Sequence, residues 1–392
     1  MEFSENNIAN SFLENLQFPA IWKYQLHIMR NSKDEATKTQ VYVALKSYLA
    51  SIGNISHLSF IERLYEGNYR GPLINRNIEE ENDLETKSLR REVDIYRLKE
   101  KEVDYSVTAS AQTRQLRFWN AIQSYKRDIR IRSSASSSDK YYEQRAVLHM
   151  ILGEFRKSYV LAKKANNYEL LTVLSFMNSE FRNIIEILDD VIMQIENTPI
   201  TVVTHTELFY IIGFSFLASW DLKKDDNELF EEFMSCLEDE KYKPLRDLMN
   251  NFKNRQYKYV IECFNSMLPM GYISMYMQPS FSRLKNEINK NIVSHLLSSY
   301  VSMSVSEIKE NTGISAIELP EIICECIYTN KLSGRYDYID KKFQTSQNDE
   351  IIEEQEIIDN SVIVKSMIEV GYWKSDLFER MRKVINSKEV EI

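Results

Sequence analysis

Residues Ser304–Ile339 read SVSEIKENTGISAIELPEIICECIYTNKLSGRYDYI, and their punctuation decides the fold class. Ser304-Val305-Ser306-Glu307 has the form of a capping box, in which the Ser hydroxyl and the Glu carboxylate each satisfy a backbone N–H that a helix start leaves open. Asn311-Thr312-Gly313 supplies the stop, since Gly adopts the left-handed conformation that ends a helix. Ser315-Ala316-Ile317-Glu318 reads as a second box. The helix it opens, Ala316 to Tyr328, carries Leu319, Ile322, Ile323, Cys326 and Ile327 on one face. Lys331 to Ile339 then alternates around Ser333-Gly334, which predicts a small β-hairpin. Short helix, turn, amphipathic helix and hairpin make a winged helix.

Working upstream, Phe252, Tyr257, Val260, Ile261 and Phe264 recur at helical spacing. A break at Leu268-Pro269-Met270-Gly271 separates them from a helix expected over 280–300. Leu208 to Trp220 is apolar for 13 residues, too short for a bilayer and right for a buried helix. Leu152-Gly153-Glu154-Phe155, followed by the small residues Ser158, Ala162 and Ala165, has the spacing of two closely packed antiparallel helices joined by an aromatic-plugged turn. That is one tetratricopeptide-like unit. A second follows at Ser179-Glu180-Phe181, with Ile184 and Leu188 at the matching offsets, 26 residues after the first. Stacked units of this kind give a superhelical solenoid; an irregular helical bundle is the alternative. Residues 8–66 are also helical in pattern, with a break at Gly53-Asn54, and 77–104 form a densely charged connector.

Downstream, residues 341–360 carry two Lys and six acids and read as an acidic linker. Beyond it, Ile363, Met367, Val370, Leu377, Met381 and Val384 form a heptad seam of about three turns, too short to stand alone. It packs either into a bundle with partner helices or back onto its own chain.

Composition agrees with helices throughout. The 392 residues contain 9 Gly and 7 Pro, about 4 % against an average near 12 %. Turn-rich β architectures need far more of both. No two glycines lie within three residues of one another, which excludes a Gly-rich phosphate loop. The formal charge of −9 argues against a protein that coats nucleic acid. The basic run Arg114, Arg117, Lys126, Arg127, Arg130 and Arg132 reads as a solvated helix face or a docking strip for an acidic partner. Across Ala316 to Tyr328 the charged side chains are Glu318, Glu321 and Glu325, which would repel phosphate, so this winged helix is not a base reader. Four cysteines do not make a disulfide framework. Cys324 and Cys326 point about 200° apart on a helix and lack two further ligands. The five histidines, His27, His57, His149, His205 and His295, stand at least 30 residues apart, with no His-x-His or His-Glu-x-x-His. No catalytic residue, cofactor site or metal site is nominated. The start MEFSENNIAN lacks a secretory h-region, and an intracellular protein is expected.

A helical-repeat array running into a winged helix resembles the PCI family, the scaffold subunits of the proteasome lid, the COP-nine signalosome and translation initiation factor three. The family's linker, an aromatic followed by Tyr and a hydrophobic helix, resembles Phe252 to Phe264. Its wing usually reads Gly-x-Ile-x-x-x-Ile-Asp; Asn330 to Asp337 resembles it with Asn for Gly and Tyr for Ile. Met275-Tyr276-Met277-Gln278-Pro279, Ile61-Glu62-Arg63-Leu64 and Gly153-Glu154-Phe155 resemble stretches of the signalosome's subunit-one branch. The expected fold is all-α: an N-terminal helical region over 1–110, a tetratricopeptide-like solenoid over 111–270 and a winged helix over 271–340, with the PCI domain at about 200–340. The linker 341–360 and a C-terminal bundle helix over 361–392 complete it. The resemblance implies a non-catalytic scaffold in cytoplasm and nucleus, assembling with other PCI subunits and an MPN-type metalloprotease subunit that removes a ubiquitin-like modifier from cullin-RING ligases. No membrane partner is expected and nucleic acid is disfavoured; the alternatives are a PCI scaffold subunit of the proteasome lid or of translation initiation factor three and, second, a nucleic-acid-binding PCI protein. The implied interaction residues are Leu332, Tyr336, Asp337 and Tyr338 at the wing edge, and Ile363, Met367, Val370, Leu377, Met381 and Val384 in the C-terminal seam.

Overall fold

The computed structural model describes residues 4–13, 16, 18–52, 54–71, 73, 105–132, 135–197, 202–220 and 227–345. The seam residues Ile363 to Val384 lie outside them. The chain opens with helices α1 (Glu5–Leu13), α2 (Ala20–Asn31), α3 (Glu35–Ile52) and α4 (Ile55–Tyr65). A second group follows: α5 (Tyr105–Arg114), α6 (Phe118–Arg132), α7 (Ala135–Ile151), α8 (Phe155–Lys164), α9 (Tyr168–Met177), α10 (Phe181–Glu186) and α11 (Leu188–Asn197). A third comprises α12 (His205–Ser219), α13 (Asn227–Ser235), α14 (Lys243–Lys253), α15 (Tyr257–Ser266), α16 (Leu268–Ile273) and α17 (Phe281–Leu297). The described chain ends in β1 (Ser302–Ser304), α18 (Val305–Thr312), α19 (Leu319–Tyr328), β2 (Gly334–Asp337) and β3 (Lys342–Thr345).

A chain this poor in glycine still turns sharply, and the turns share one construction. Leu116, Gly153, Asn166, Ser179, Arg255 and Asn330 all have φ between +49° and +80°. In each case the next residue's N–H reaches back five positions to a helix carbonyl: Glu154 to His149 at 2.8 Å, Asn167 to Ala162 at 3.0 Å, Glu180 to Ser175 at 2.9 Å and Gln256 to Asn251 at 2.9 Å. This Schellman closure satisfies carbonyls that a helix end leaves open. In five of the six turns an aromatic then opens the next helix: Phe118, Phe155, Tyr168, Phe181 and Tyr257. Helices α8 and α9 have ten residues each and three-residue turns, so each advances the chain by 13 and the pair by 26. That is why the spacing from Phe155 to Phe181 falls short of a standard tetratricopeptide repeat. Ser158, fully buried, donates to the Ala146 carbonyl at 2.7 Å, and Ala162 is fully buried, so α7 and α8 approach closely as their small residues require. Because an L-residue in the left-handed region costs about 1 kcal/mol, Arg255→Gly, at an exposed turn, is expected to raise stability by up to that amount in urea titration.

Helix α12 is the hub. Every residue from Glu207 to Ala218 is buried, and α1, α9, α10, α14 and α17 pack around it. Phe209, Phe214 and Phe216 meet Tyr242, Phe264 and Phe233 edge-on or stacked at 4.9–5.5 Å. The N-terminal helices belong to the same core, because α1 and α2 pack on α16. Tyr24 of α2 donates to Glu207 Oε1 at 2.7 Å, Ser274 donates to the same oxygen, and His27 Nε2 lies 3.0 Å from the Tyr272 carbonyl.

The winged helix forms with two corrections to its expected boundaries. The first capping box is present, Ser304 and Glu307 bonding reciprocally, and Gly313 closes α18 at φ +75°. Ser315 does not cap α19, which begins at Leu319 with Pro320 in its first turn. A helix started at Ala316 would need an N–H from Pro320 for its fifth position, and proline has none; starting later puts Pro320 where no N–H is required. The hairpin also shifts. Its turn is Tyr338–Lys341, closed by Asp337 Oδ1 accepting from the Ile339 and Asp340 N–H groups at 2.8 and 3.1 Å. Gly334 pairs across the ladder with Thr345, and Tyr336 with Phe343. The wing therefore runs to Thr345, and residues 342–345, expected in the acidic linker, are its central strand: the order is β1-β3-β2.

Candidate assembly surface

Helix α17 carries the winged helix. Lys290 of α17 is mostly buried and pairs with Glu325 of α19 at 2.6 Å and with Glu287 at 3.1 Å. Lys331, just after α19, donates to Asn291 at 3.0 Å and lies 3.4 Å from Glu287. These charges hold α19 by its inner side and leave its outer side to solvent.

The four wing residues singled out from sequence take different places. Leu332, just before β2, is buried in the core. Tyr336 is half-buried and meets Tyr338 edge-on at 4.9 Å. Asp337 is occupied in holding the turn. Tyr338 is 64 % exposed and its hydroxyl lies 3.0 Å from Cys324 Sγ. Sequence reading passed over the residues around them: Ile317, Tyr328 and Ile339 are 90 %, 89 % and 92 % exposed. Their signal was the break in polar patterning at positions outside the buried stripe Leu319, Ile322, Ile323 and Cys326. Strand β2 lies at the edge of the sheet, with its far side unpaired among the described residues.

The electrostatics oppose nucleic acid at this surface. Glu318 and Glu321 are exposed and Glu325 half-exposed, and α19 holds no Lys or Arg. The basic run does not form one exposed face either, since Arg117 is buried, Lys126 is half-buried and Arg114 and Arg127 are exposed.

The five histidines and the cysteine pair of α19 each have a structural place. His57 bonds Asn54 at 3.0 Å, His149 meets Glu154 at 2.5 Å, His205 and His295 pack on Phe209 and Phe252, and burial pushes His27 and His57 down to about 4. Cys326 is buried and its thiol is pushed up to about 11 by burial, while Cys324 faces Tyr338 on the other side. Among the described residues no group of three or more His, Cys, Asp or Glu could hold a metal ion, and no helix is long and apolar enough to cross a membrane.

No curated protein matches the chain in a sequence search. A family model described as PCI domain matches residues 247–347, from within α14 to just past β3. That match, on the segment that builds the winged helix and the helices it stands on, supports membership of the PCI family.

Proposed function

We propose that the chain is a non-catalytic scaffold subunit of a signalosome-type PCI complex, supporting removal of a ubiquitin-like modifier from cullins by an MPN-type metalloprotease in a neighbouring subunit, in cytoplasm and nucleus. The observation that carries the scaffold role is the wing: an edge strand, β2, beside the exposed Tyr338 and Ile339, on a winged helix whose outer helix is acidic. Sheet edges of this kind pair with another chain's strand. The tetratricopeptide-like hairpins α7–α10 would contact neighbours, and the seam Ile363 to Val384 would join a shared bundle. The choice of the signalosome rests on resemblance alone. Two of its three stretches are core here, Met275, Tyr276 and Met277 in one and Ile61 and Leu64 in the other, so they serve packing.

A tagged pull-down at moderate salt, read by mass spectrometry, tests the reading. Other PCI subunits, a His-x-His metalloprotease and cullins are the expected recovery. Proteasome lid or initiation-factor subunits in their place would keep the scaffold and overturn the choice of complex; a clean monomer would overturn both. Ile339→Asp, at a 92 % exposed position, is expected to cut partner recovery about tenfold while leaving the melting temperature unchanged.

A further inference from the structure

The outer face of α19 and the wing border a shallow, open groove of about 530 Å³ lined by Ile317, Pro320, Glu321, Cys324, Tyr328 and Tyr338. Its lining combines apolar and aromatic side chains with the carboxylates of Glu321 and Glu325. Glu321 has no ion pair among the described residues, and Glu318, three residues before it, is exposed. Glu325 also borders it and shares its charge with Lys290 on the inner side, at 2.6 Å. No Lys or Arg lines the groove. Helix α19 is ten residues long, about 15 Å, which matches two to three turns of a helix laid alongside it.

We propose that this groove docks an amphipathic helix of a partner subunit, its apolar stripe seated on Ile317, Tyr328 and Tyr338 and its flanking Lys or Arg facing Glu318 and Glu321. The argument is complementarity of both kinds. Three exposed large apolar side chains, Ile317 just before α19, Tyr328 at its end and Tyr338 of the wing, supply the area that helix-in-groove binding uses. The uncompensated carboxylates fix the sign of the charge that can approach, favouring basic and rejecting acidic partners. Phosphate-bearing ligands are repelled by the same carboxylates. Within the chain itself, residues 346–360 directly after the wing carry six acids and no basic group and are repelled, whereas 361–392 carry six basic groups against five acids, so the experiment separates a partner helix from the chain's own tail. Strand addition would use the β2 edge and helix docking the outer side of α19, and Tyr338 borders both.

The proposal rests on the scaffold reading and deepens it. Its test needs no natural partner. The full chain is titrated into a fluorescent 18-residue Leu/Lys peptide with Leu at three- and four-residue spacing, and into a shuffled peptide of the same composition. The striped peptide is expected to bind at least about tenfold tighter than the shuffled one, with Glu321→Lys and Tyr328→Ser each weakening it about tenfold. It is also expected to slow alkylation of Cys324, which lines the groove, while the half-buried Cys236 reacts at its usual rate. Equal binding of the two peptides, or an unprotected Cys324, would overturn the groove. A peptide of residues 374–388 that binds tighter than the striped one would overturn the partner in favour of the chain's own tail. If the pull-down still recovers PCI subunits while the peptide fails, the groove falls and the scaffold stands.

Discussion

Replacing Glu207 by Gln is expected to flatten the pH dependence of stability, with the variant less stable than the wild type at pH 5 and more stable at pH 8.5. Glu207 sits wholly buried in α12, and burial pushes its carboxyl up to about 8. Tyr24 and Ser274 donate to Oε1, while Oε2 has no hydrogen-bond partner. The other ionisable groups around it offer no cation: Tyr24 and Tyr276 are held far above their ordinary range, and Glu169 is occupied accepting the Val202 and Val203 N–H groups. A carboxyl whose folded pKa lies above its unfolded value binds a proton more tightly in the native state. Its favourable contribution is complete below about 4.5 and is lost as pH rises through 8. At about 1.4 kcal/mol per pH unit across that window, the loss by pH 7 is on the order of 3 kcal/mol. Gln keeps an acceptor for Tyr24 and Ser274 but adds a buried amide N–H₂ that must find partners, which is why it is the weaker residue in acid. Urea midpoints measured from pH 5 to 9 check this; parallel curves for the two proteins would show that Glu207 does not stay neutral when folded. The loss also has a place, since Tyr24 ties α2 to the hub. Exchange of α2 amides is expected to rise with pH before that of α12.

Much of this architecture was legible because helices announce themselves through periodicity and caps. The Ser304 box, the Gly313 stop and the buried face of α19 could be read directly, since each depends on residues within one turn of one another. The errors came where a residue type has two meanings. Gly334 was read as a turn residue, yet it is a strand residue with ordinary φ; what it supplies is room, because a Cβ there would lie 2.4 Å from the Gln344 carbonyl oxygen. Pro320 overrode an otherwise sound capping box. The left-handed turns at Leu116 and Arg255 were invisible for the opposite reason, because neither residue favours that conformation and packing of the following helix holds them there. The docking of α1 and α2 on the hub could not be read at all. Its contacts, Tyr24 to Glu207 and His27 to Tyr272, join residues 183 and 245 positions apart, and no local pattern records such a pairing. Of the assembly surface, Tyr338 was visible as an alternating strand residue. Ile317 and Tyr328 were not, because an apolar residue beside an apolar stripe looks like core until the helix is placed.

The two assignments of the wing differ in what Gly334→Asn does. If Ser333-Gly334 were a two-residue turn, Asn would be tolerated, since it enters the left-handed region more readily than other side chains. In the observed strand the obstacle is any Cβ at all. It would meet the backbone oxygen of Gln344 at 2.4 Å and the Phe343 ring at 2.7 Å, and only the second of these can shift. Gly334→Asn and Gly334→Val are therefore expected to be nearly equal in effect, each costing on the order of 3 kcal/mol by parting β2 from β3. Ser333→Val, at an exposed position one residue earlier, should cost little. Hydrogen exchange localises the damage: the amides that pair Tyr336 with Phe343 should lose protection in both Gly334 variants. The consequence for assembly follows from the topology. Strand β3 is central and carries the fully packed Phe343, so parting β2 removes the edge while leaving β1-β3 paired. A Gly334→Val protein that is still folded but no longer recovers partners would place the assembly contact on β2. One that recovers them undiminished, with exchange at Tyr336 lost, would move that contact off the edge strand.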